Sequence, residues 1–241
     1  MLSKTSKLGC LSWSLQAFET CPGSVQDGVV VDACKFCYAR TGMYHMPDVK
    51  ALRSRNKEDW KNDDWVSRMV HGLRKSTHFR WFDSGDMYST ALAEKILEVC
   101  RLTPNVNHWI PTRMHKFEKF RGVLEALSVL PNVVVRLSSD SVSGGLIDSF
   151  TGHSSTITPY AGYFDSVNLD KLVEKYPFIA DNVKQFTEER QDVDVYECVA
   201  YKQGGKCLTC RACWDKMVPV VAYPYHGKSK AKVIKILQVK G

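Results

Sequence analysis

Seven of the nine cysteines in this chain fall into two groups, and their spacing is that of metal ligands. The first group is Cys21-x12-Cys34-x2-Cys37, followed at once by Tyr38. The second is Cys198-x8-Cys207-x2-Cys210-x2-Cys213, with Trp214 directly after it. Only Cys10 and Cys100 stand apart. Repeated two-residue gaps let consecutive thiolates converge on one iron–sulfur cubane, as ferredoxin-type loops do. Gly204 and Gly205 supply the backbone bend that leads into the second loop. Four cysteines there would saturate a 4Fe-4S cluster, fitting it for electron transfer or for holding the fold. Three cysteines in the first group would leave one iron open to an outside ligand, with Cys10 the only cysteine near enough in sequence to close it.

Two alternatives remain open on spacing. Zinc on four cysteines usually comes as two CxxC knuckles, which a mixed site of Cys34/Cys37 with Cys210/Cys213 would supply. A thioredoxin-like site would place Cys34 and Cys37 at a helix start after a strand, and Asp27–Ala33 is a candidate for that strand.

The remaining candidates are weaker. Tyr38 is placed either to pack on a bound ligand or to fill the core. Arg80, Arg113 and Arg136 lie in or at the ends of apolar strands, so each needs a partner such as Asp83, Asp86 or Asp140, or an anionic ligand. Trp214 is expected to shield the second centre from solvent, while Trp60, Trp65, Trp81 and Trp109 read as core. His226 reads as an ordinary hydrogen-bonded side chain, or else a ligand or proton relay. His45, His71, His108, His115 and His153 have no second ligand at a diagnostic spacing.

Positioning these residues requires a core, and the chain has one to build. Its 241 residues are 44% hydrophobic and 24% charged, an ordinary globular composition. Asp63 and Asp64 can cap a helix running to Ser76. His78–Ser84 reads as a strand, Thr90–Leu102 as a helix and Val106–Thr112 as a strand. His115–Leu130 reads as a helix and Asn132–Ser138 as a strand. This β-α-β-α-β order predicts parallel strands in an α/β barrel or doubly wound sheet. Residues 139–165 read as a long loop. Leu169–Tyr176 and Asn182–Arg190 read as helices, and Asp194–Tyr201, Val218–Tyr223 and Ala231–Val239 as strands. The organisation expected is a single domain over 1–241, with a first cluster loop at 1–45 and a β/α core at 62–195. Residues 196–241 would hold the second cluster loop and terminal strands.

No run approaches the roughly 20 apolar residues of a membrane span, and Met1–Gln16 lack the apolar stretch of a secretory signal. A cytoplasmic setting with reduced thiols is therefore expected, with no membrane partner. Thirty-three Lys and Arg against 26 Asp and Glu give a net charge of +7. Lys228, Lys230, Lys232 and Lys235 concentrate it near the end. Such a surface permits contact with nucleic acid or a host protein.

A three-cysteine loop ending in CxxCY ahead of β/α units resembles the radical S-adenosylmethionine (SAM) superfamily. The resemblance implies a partial TIM-like (β/α) barrel, here with a C-terminal cysteine-rich cluster loop. It implies an open 4Fe-4S cluster on Cys21, Cys34 and Cys37 that chelates SAM and cleaves it after one-electron reduction. The four-Cys group would carry a second, auxiliary cluster, and an electron donor would be a partner. Ser84, Gly85 and Asp86 would then meet the SAM amino group. Thr112 and Arg113 would meet its carboxylate, Ser138 and Ser139 its ribose or carboxylate, and Tyr38 its adenine.

A closer resemblance is to the phage family called gene product eighty-eight. It runs through CPG at Cys21–Gly23, CKFCYA at Cys34–Ala39 and FRWFDSGDMYS at Phe79–Ser89. It continues through PTR at Pro111–Arg113, VRLSSD at Val135–Asp140, CLTCRACW at Cys207–Trp214 and AYPYHG at Ala222–Gly227. It implies a host-cytoplasmic setting. The chain departs from the radical SAM pattern in the twelve-residue gap before Cys34 and in Asp86 where a Glu is usual. A non-catalytic iron–sulfur or zinc protein on the same scaffold is the other expectation.

Overall fold

The computed structural model describes residues 1–35, 37–142, 147, 154–158 and 195–224. The helices expected at 169–176 and 182–190 lie outside these residues, as do the strand expected at 231–239, His153, His226 and the terminal lysines.

Among the described residues the core is an eight-stranded sheet. Its strands are β1 (Ser3–Lys4), β2 (Leu11–Trp13), β5 (His78–Trp81), β6 (Asn107–Thr112), β7 (Val133–Ser138), β8 (Ser154–Thr158), β9 (Val195–Glu197) and β10 (Val220–Pro224). The spatial order is β1-β2-β5-β6-β7-β8-β10-β9. Only β1 pairs antiparallel, with β2; the pairs from β2 onward are parallel. The two edge strands do not pair with each other, so the described sheet is open.

Three helices cover one face: α3 (Trp65–Leu73), α4 (Thr90–Leu102) and α5 (Arg121–Ser128). Each presents an apolar stripe at helical spacing: Trp65, Met69 and Leu73 in α3, Leu92, Ile96 and Val99 in α4, and Leu124 and Leu127 in α5. These meet the inward residues of the strands, Trp13, Phe79, Trp81, Ile110, Val133, Val135 and Leu137, in one core. All three helices share that face, so the described sheet is singly wound rather than doubly wound.

The opposite face carries Arg80, Trp109 and Arg136, in the alternation that a two-residue period demands. Residues 198–218, the cysteine-rich loop, lie against it. Leu8, Trp109, Cys198, Ala200, Cys207, Cys213, Trp214 and Val221 form a second apolar cluster there.

Several expectations shift. Residues 1–45 contribute β2 to the parallel sheet rather than being loop throughout. The segment 27–33 makes a hairpin, β3 (Val25–Gln26) with β4 (Val29–Val30), outside the main sheet. Its turn residues Asp27 and Gly28 both have positive φ, +50° and +77°, as a two-residue turn of this kind requires. Cys34 then falls in a single helical turn, α1 (Asp32–Lys35). The CxxC therefore does not follow a core strand, as a thioredoxin-like site would need.

A further helix, α2 (Pro47–Asp59), stands where no element was expected. β8 forms inside the segment read as loop. The strand expected over 78–84 stops at Trp81, because Phe82 turns to φ +54° and donates its N–H to the Trp13 carbonyl (2.8 Å). The helix expected from His115 begins only at Arg121. The Arg113 and Met114 amides are taken by Asp86 Oδ2 (2.9 Å) and Thr112 Oγ1 (3.0 Å), which holds this segment to the strand end instead.

Candidate functional site

The carboxyl ends of parallel strands are where α/β proteins build ligand sites, and the polar residues expected at the site gather there. β5 runs out into Asp83, Ser84, Gly85 and Asp86, β6 into Thr112 and Arg113, and β7 into Ser138 and Ser139. Gly85 has φ +78°, and a Cβ on it would stand 2.6 Å from both Leu15 Cβ and Thr20 Oγ1. The turn therefore admits only glycine there. Ser84 Oγ donates to the Leu15 carbonyl (2.6 Å), and the Asp86 amide to the Thr20 carbonyl (2.9 Å). These bonds fix the 15–21 segment, and Cys21 with it, against the end of β5.

The rest of the first cysteine loop is tied to β6 and β7. Gly23 packs so closely on Arg113 that a Cβ would lie 2.6 Å from its Cβ, and Lys116 Nζ donates to the Gly23 carbonyl (3.2 Å). The Ala33 amide donates to the Asp140 carbonyl (2.9 Å), which sets α1 and Cys34 beside the end of β7. The Cys37 amide closes a turn onto the Cys34 carbonyl (3.2 Å). Cys21, Cys34 and Cys37 are thereby brought into mutual electrostatic reach.

A cavity of about 690 Å³ opens at this place. Cys21, Cys34, Cys37 and Tyr38 line it, with Ser84, Gly85, Asp86, Thr112, Arg113, Ser138 and Ser139. Cys198, Cys207 and Cys213 reach the same cavity; Cys210 does not line it. Sequence separation alone does not show that the two cysteine groups face one space.

Asp86 has a different role from the one expected. Its carboxylate is buried, and three donors occupy it: Thr112 Oγ1 (2.7 Å) and the Met87 amide (2.8 Å) on Oδ1, and the Arg113 amide (2.9 Å) on Oδ2. Burial raises its pKa above the usual carboxylate range, and these donors oppose the rise. It clamps the end of β5 to the end of β6, leaving little acceptor capacity for an ammonium ligand.

The arginines find separate partners. Arg113 Nε pairs with Asp140 Oδ1 (3.2 Å), and its Nη2 donates to the Ser139 carbonyl (2.8 Å); Lys116 also pairs with Asp140. Arg80 pairs with Asp83 (3.2 Å) and stacks on Trp109 (4.5 Å). Among the described residues Arg136 pairs with no carboxylate. Fully buried, it donates to four carbonyls of the cysteine loop: Ala212 (2.7 Å), Cys213 (3.0 Å), Asp215 (2.9 Å) and Val218 (2.9 Å).

Tyr38 is not a core aromatic. The residue is 47% exposed, its ring meets Tyr44 edge-on at 5.4 Å, and its hydroxyl donates to the Asp83 carbonyl (2.7 Å). Trp214 is buried in the apolar cluster with Cys198, Cys207 and Cys213, and donates its indole N–H to the Phe79 carbonyl (2.9 Å).

Helix α2 adds a cavity wall that the sequence concealed. Val49, Leu52, Arg53 and Asn56 face the cavity at helical spacing. Two of these four are polar and buried, which hides the apolar stripe. The spacing itself was the available signal. Arg53 stacks on Tyr44 (4.4 Å), and Asn56 Nδ2 donates to the Ser14 carbonyl (2.9 Å).

The cysteines present an all-sulfur donor set with no disulfide among the described residues. Burial pushes the Cys21 thiol up to about 12, with the Asp86 charge adding to the rise, and burial also raises Cys34 and Cys37. In the second group burial raises Cys207, and Cys213 to about 11. Such thiols are poor nucleophiles on their own; a metal would have to displace their protons. Among the described residues no three His, Cys, Asp or Glu side chains close tightly enough to grip a single metal ion. One tetrahedral zinc needs its sulfurs about 3.8 Å apart, as follows from a Zn–S bond of about 2.3 Å. A 4Fe-4S cluster spreads its thiolates wider, because each binds a different iron. The all-sulfur donor set is of the chemical kind that iron or zinc takes.

Fold and site together define an α/β protein with a thiol-lined cavity at the carboxyl ends of a parallel sheet. The sequence model of the family described as Gene product 88 matches residues 2–216, and the chain belongs to that family. No curated protein and no solved structure matches. Among the described residues no helix is long and apolar enough to cross a membrane.

Proposed function

We propose that this chain is an iron–sulfur protein of radical-SAM type, built on a partial (β/α) barrel and bearing an open 4Fe-4S cluster on Cys21, Cys34 and Cys37. The observation that carries the reading is that Cys21, Cys34 and Cys37 line a cavity together with the polar ends of three parallel strands. Cys10, the candidate to close that group, packs with the second group instead. Bound on these thiols, a reduced cluster would supply the electron that splits SAM into methionine and a 5′-deoxyadenosyl radical. An external electron donor supplies that electron.

The chain's own residues bind and orient. Ser138 and Ser139 offer hydroxyls at the cavity wall, while the Thr112 hydroxyl is taken by Asp86 and the Met114 amide. Arg113 keeps three of its five N–H donors beyond its bonds to Asp140 and Ser139 for a carboxylate. Tyr38, half exposed above the cavity, offers a ring face for adenine. The test is anaerobic: protein reduced with dithionite and given SAM yields 5′-deoxyadenosine. Absence of that product, together with an EPR signal that SAM leaves unchanged, defeats the reading.

A second reading takes its support from Asp86. Its carboxylate already takes three internal donors, so the best candidate for an ammonium acceptor serves the fold. On this reading the clusters act in stability, redox sensing or electron transfer. Clusters without SAM turnover are its signature. A steep loss of nucleic-acid affinity with salt would add a nucleic-acid role.

A further inference from the structure

Arg53 lines the cavity from the middle of α2 as a buried cation with unused donors. It is 6% exposed, and among the described residues its Nε has no hydrogen-bond partner. The carboxylate it meets is Asp83, whose Oδ2 stands 3.8 Å from Nη2, beyond hydrogen-bond reach. That oxygen already accepts the Tyr44 hydroxyl (2.8 Å). Arg53 rests instead on the face of the Tyr44 ring, 4.4 Å from its centroid.

Arg80 comes to the same carboxylate from its other oxygen. Its Nη1 is 3.2 Å from Asp83 Oδ1, and its Nε is likewise without a partner among the described residues. Two guanidiniums thus share one carboxylate on the wall of a cavity that both line. Lys4 and Lys7 line it as well, and its acids among the described residues are Asp83 and Asp86. A surplus cation is costly to bury, and an anion entering the cavity removes that cost. Asn56, one turn along α2 from Arg53, leaves a second polar atom unmet. Its Nδ2 donates to the Met1 (3.1 Å) and Ser14 (2.9 Å) carbonyls, while Oδ1 is buried with no partner among the described residues.

We propose that Arg53 and Arg80 form a subsite for the oxyanion group, a phosphate or a carboxylate, of the molecule this cavity receives. Guanidinium forks match the geometry of both groups. The rings of Tyr44 and Trp109 already hold the two forks by their faces, so little side-chain freedom is lost when the anion arrives. The arginines alone carry this inference, and it needs no metal on the cysteines.

The test titrates inorganic phosphate and, separately, acetate into the anaerobically purified full chain at constant ionic strength, followed by calorimetry. Saturable binding of at least one is expected, and the tighter of the two names the group. Arg53→Gln should weaken it about tenfold or more, the loss of a charged hydrogen bond. Asp83→Asn should strengthen it, because the competing carboxylate is gone from between the two guanidiniums. The opposite signs guard against misfolding, which would weaken binding in both variants. No saturable binding of either anion, equal affinity in wild type and Arg53→Gln, or an Asp83→Asn protein that binds no tighter than wild type overturns the subsite. None of these outcomes bears on the iron–sulfur reading, which metal and sulfide analysis decides.

Discussion

His108 is held neutral by a chain of hydrogen bonds that leaves its tautomer no choice. The Trp81 indole N–H donates to Nδ1 (3.2 Å), Nε2 meets Thr103 Oγ1 (2.8 Å), and Thr103 Oγ1 donates to the Val99 carbonyl (2.6 Å). A proton on Nδ1 would face another N–H in a site with no solvent. Burial accordingly lowers the pKa from 6.5 to about 3. The unfolded chain takes up a proton near pH 6.5 that the folded chain refuses, so the stability His108 provides is full above that pH and drains as pH falls toward 3. His108→Gln lacks this titration. The stability gap between wild type and His108→Gln should narrow below pH 6.5, approaching about 1.4 kcal/mol per pH unit, as urea unfolding at stepped pH would measure. At this scale the sequence was partly legible. Polar residues at strand ends were found because strand ends are short and punctuated by Gly85. The task of Asp86 was not found, because its three donors come from Met87, Thr112 and Arg113, two of them through backbone amides that a sequence does not display as partners.

Among the elements, the cysteine loop depends on one side chain. Arg136 issues from the centre of β7 and holds the carbonyls of Ala212, Cys213, Asp215 and Val218. Lys216 adds a tie to the Ser128 carbonyl (2.8 Å). Removing the guanidinium leaves several buried acceptors without a donor, at about 1–3 kcal/mol each where water cannot reach. Arg136→Met should therefore cost at least about 3 kcal/mol and release the loop, read as a lower unfolding midpoint and faster proteolysis within residues 204–211. Arg136→Lys should recover only part of it, since an ammonium has three donors and no planar fork. The elements with strong periodicity, α4 above all, matched the sequence reading to the residue at Thr90–Leu102. Those that escaped it share a cause. β2 is three residues long, α2 buries Arg53 and Asn56 where an amphipathic helix would bury apolar residues, and β8 is Ser- and Thr-rich. In each, neighbours from distant sequence decide the conformation, and local pattern cannot carry that information.

The molecule as a whole folds both its cysteine groups around one sheet, and they share a cavity of about 690 Å³. That proximity allows two arrangements of metal. In one, the groups hold separate clusters, the first at the strand ends and the second on the sheet face behind Trp214. In the other, Cys34 and Cys37 join Cys210 and Cys213 around a single zinc. The first arrangement is the one proposed above. Cys34 is anchored to β7 through the Ala33–Asp140 bond (2.9 Å), and Cys210 lies off the cavity beside Tyr196. The two arrangements predict different losses. With separate clusters, Cys34→Ser and Cys207→Ser should each remove roughly half of the iron and sulfide, about one cluster. Only Cys34→Ser should abolish the response of the EPR signal to SAM, because the open iron belongs to the first group. With a shared zinc, Cys34→Ser would remove all the metal, Cys207→Ser would leave it, and sulfide would be absent from the wild type. Iron, zinc and sulfide analysis of these three proteins, with EPR of the reduced samples before and after SAM, separates a redox centre from a structural knot.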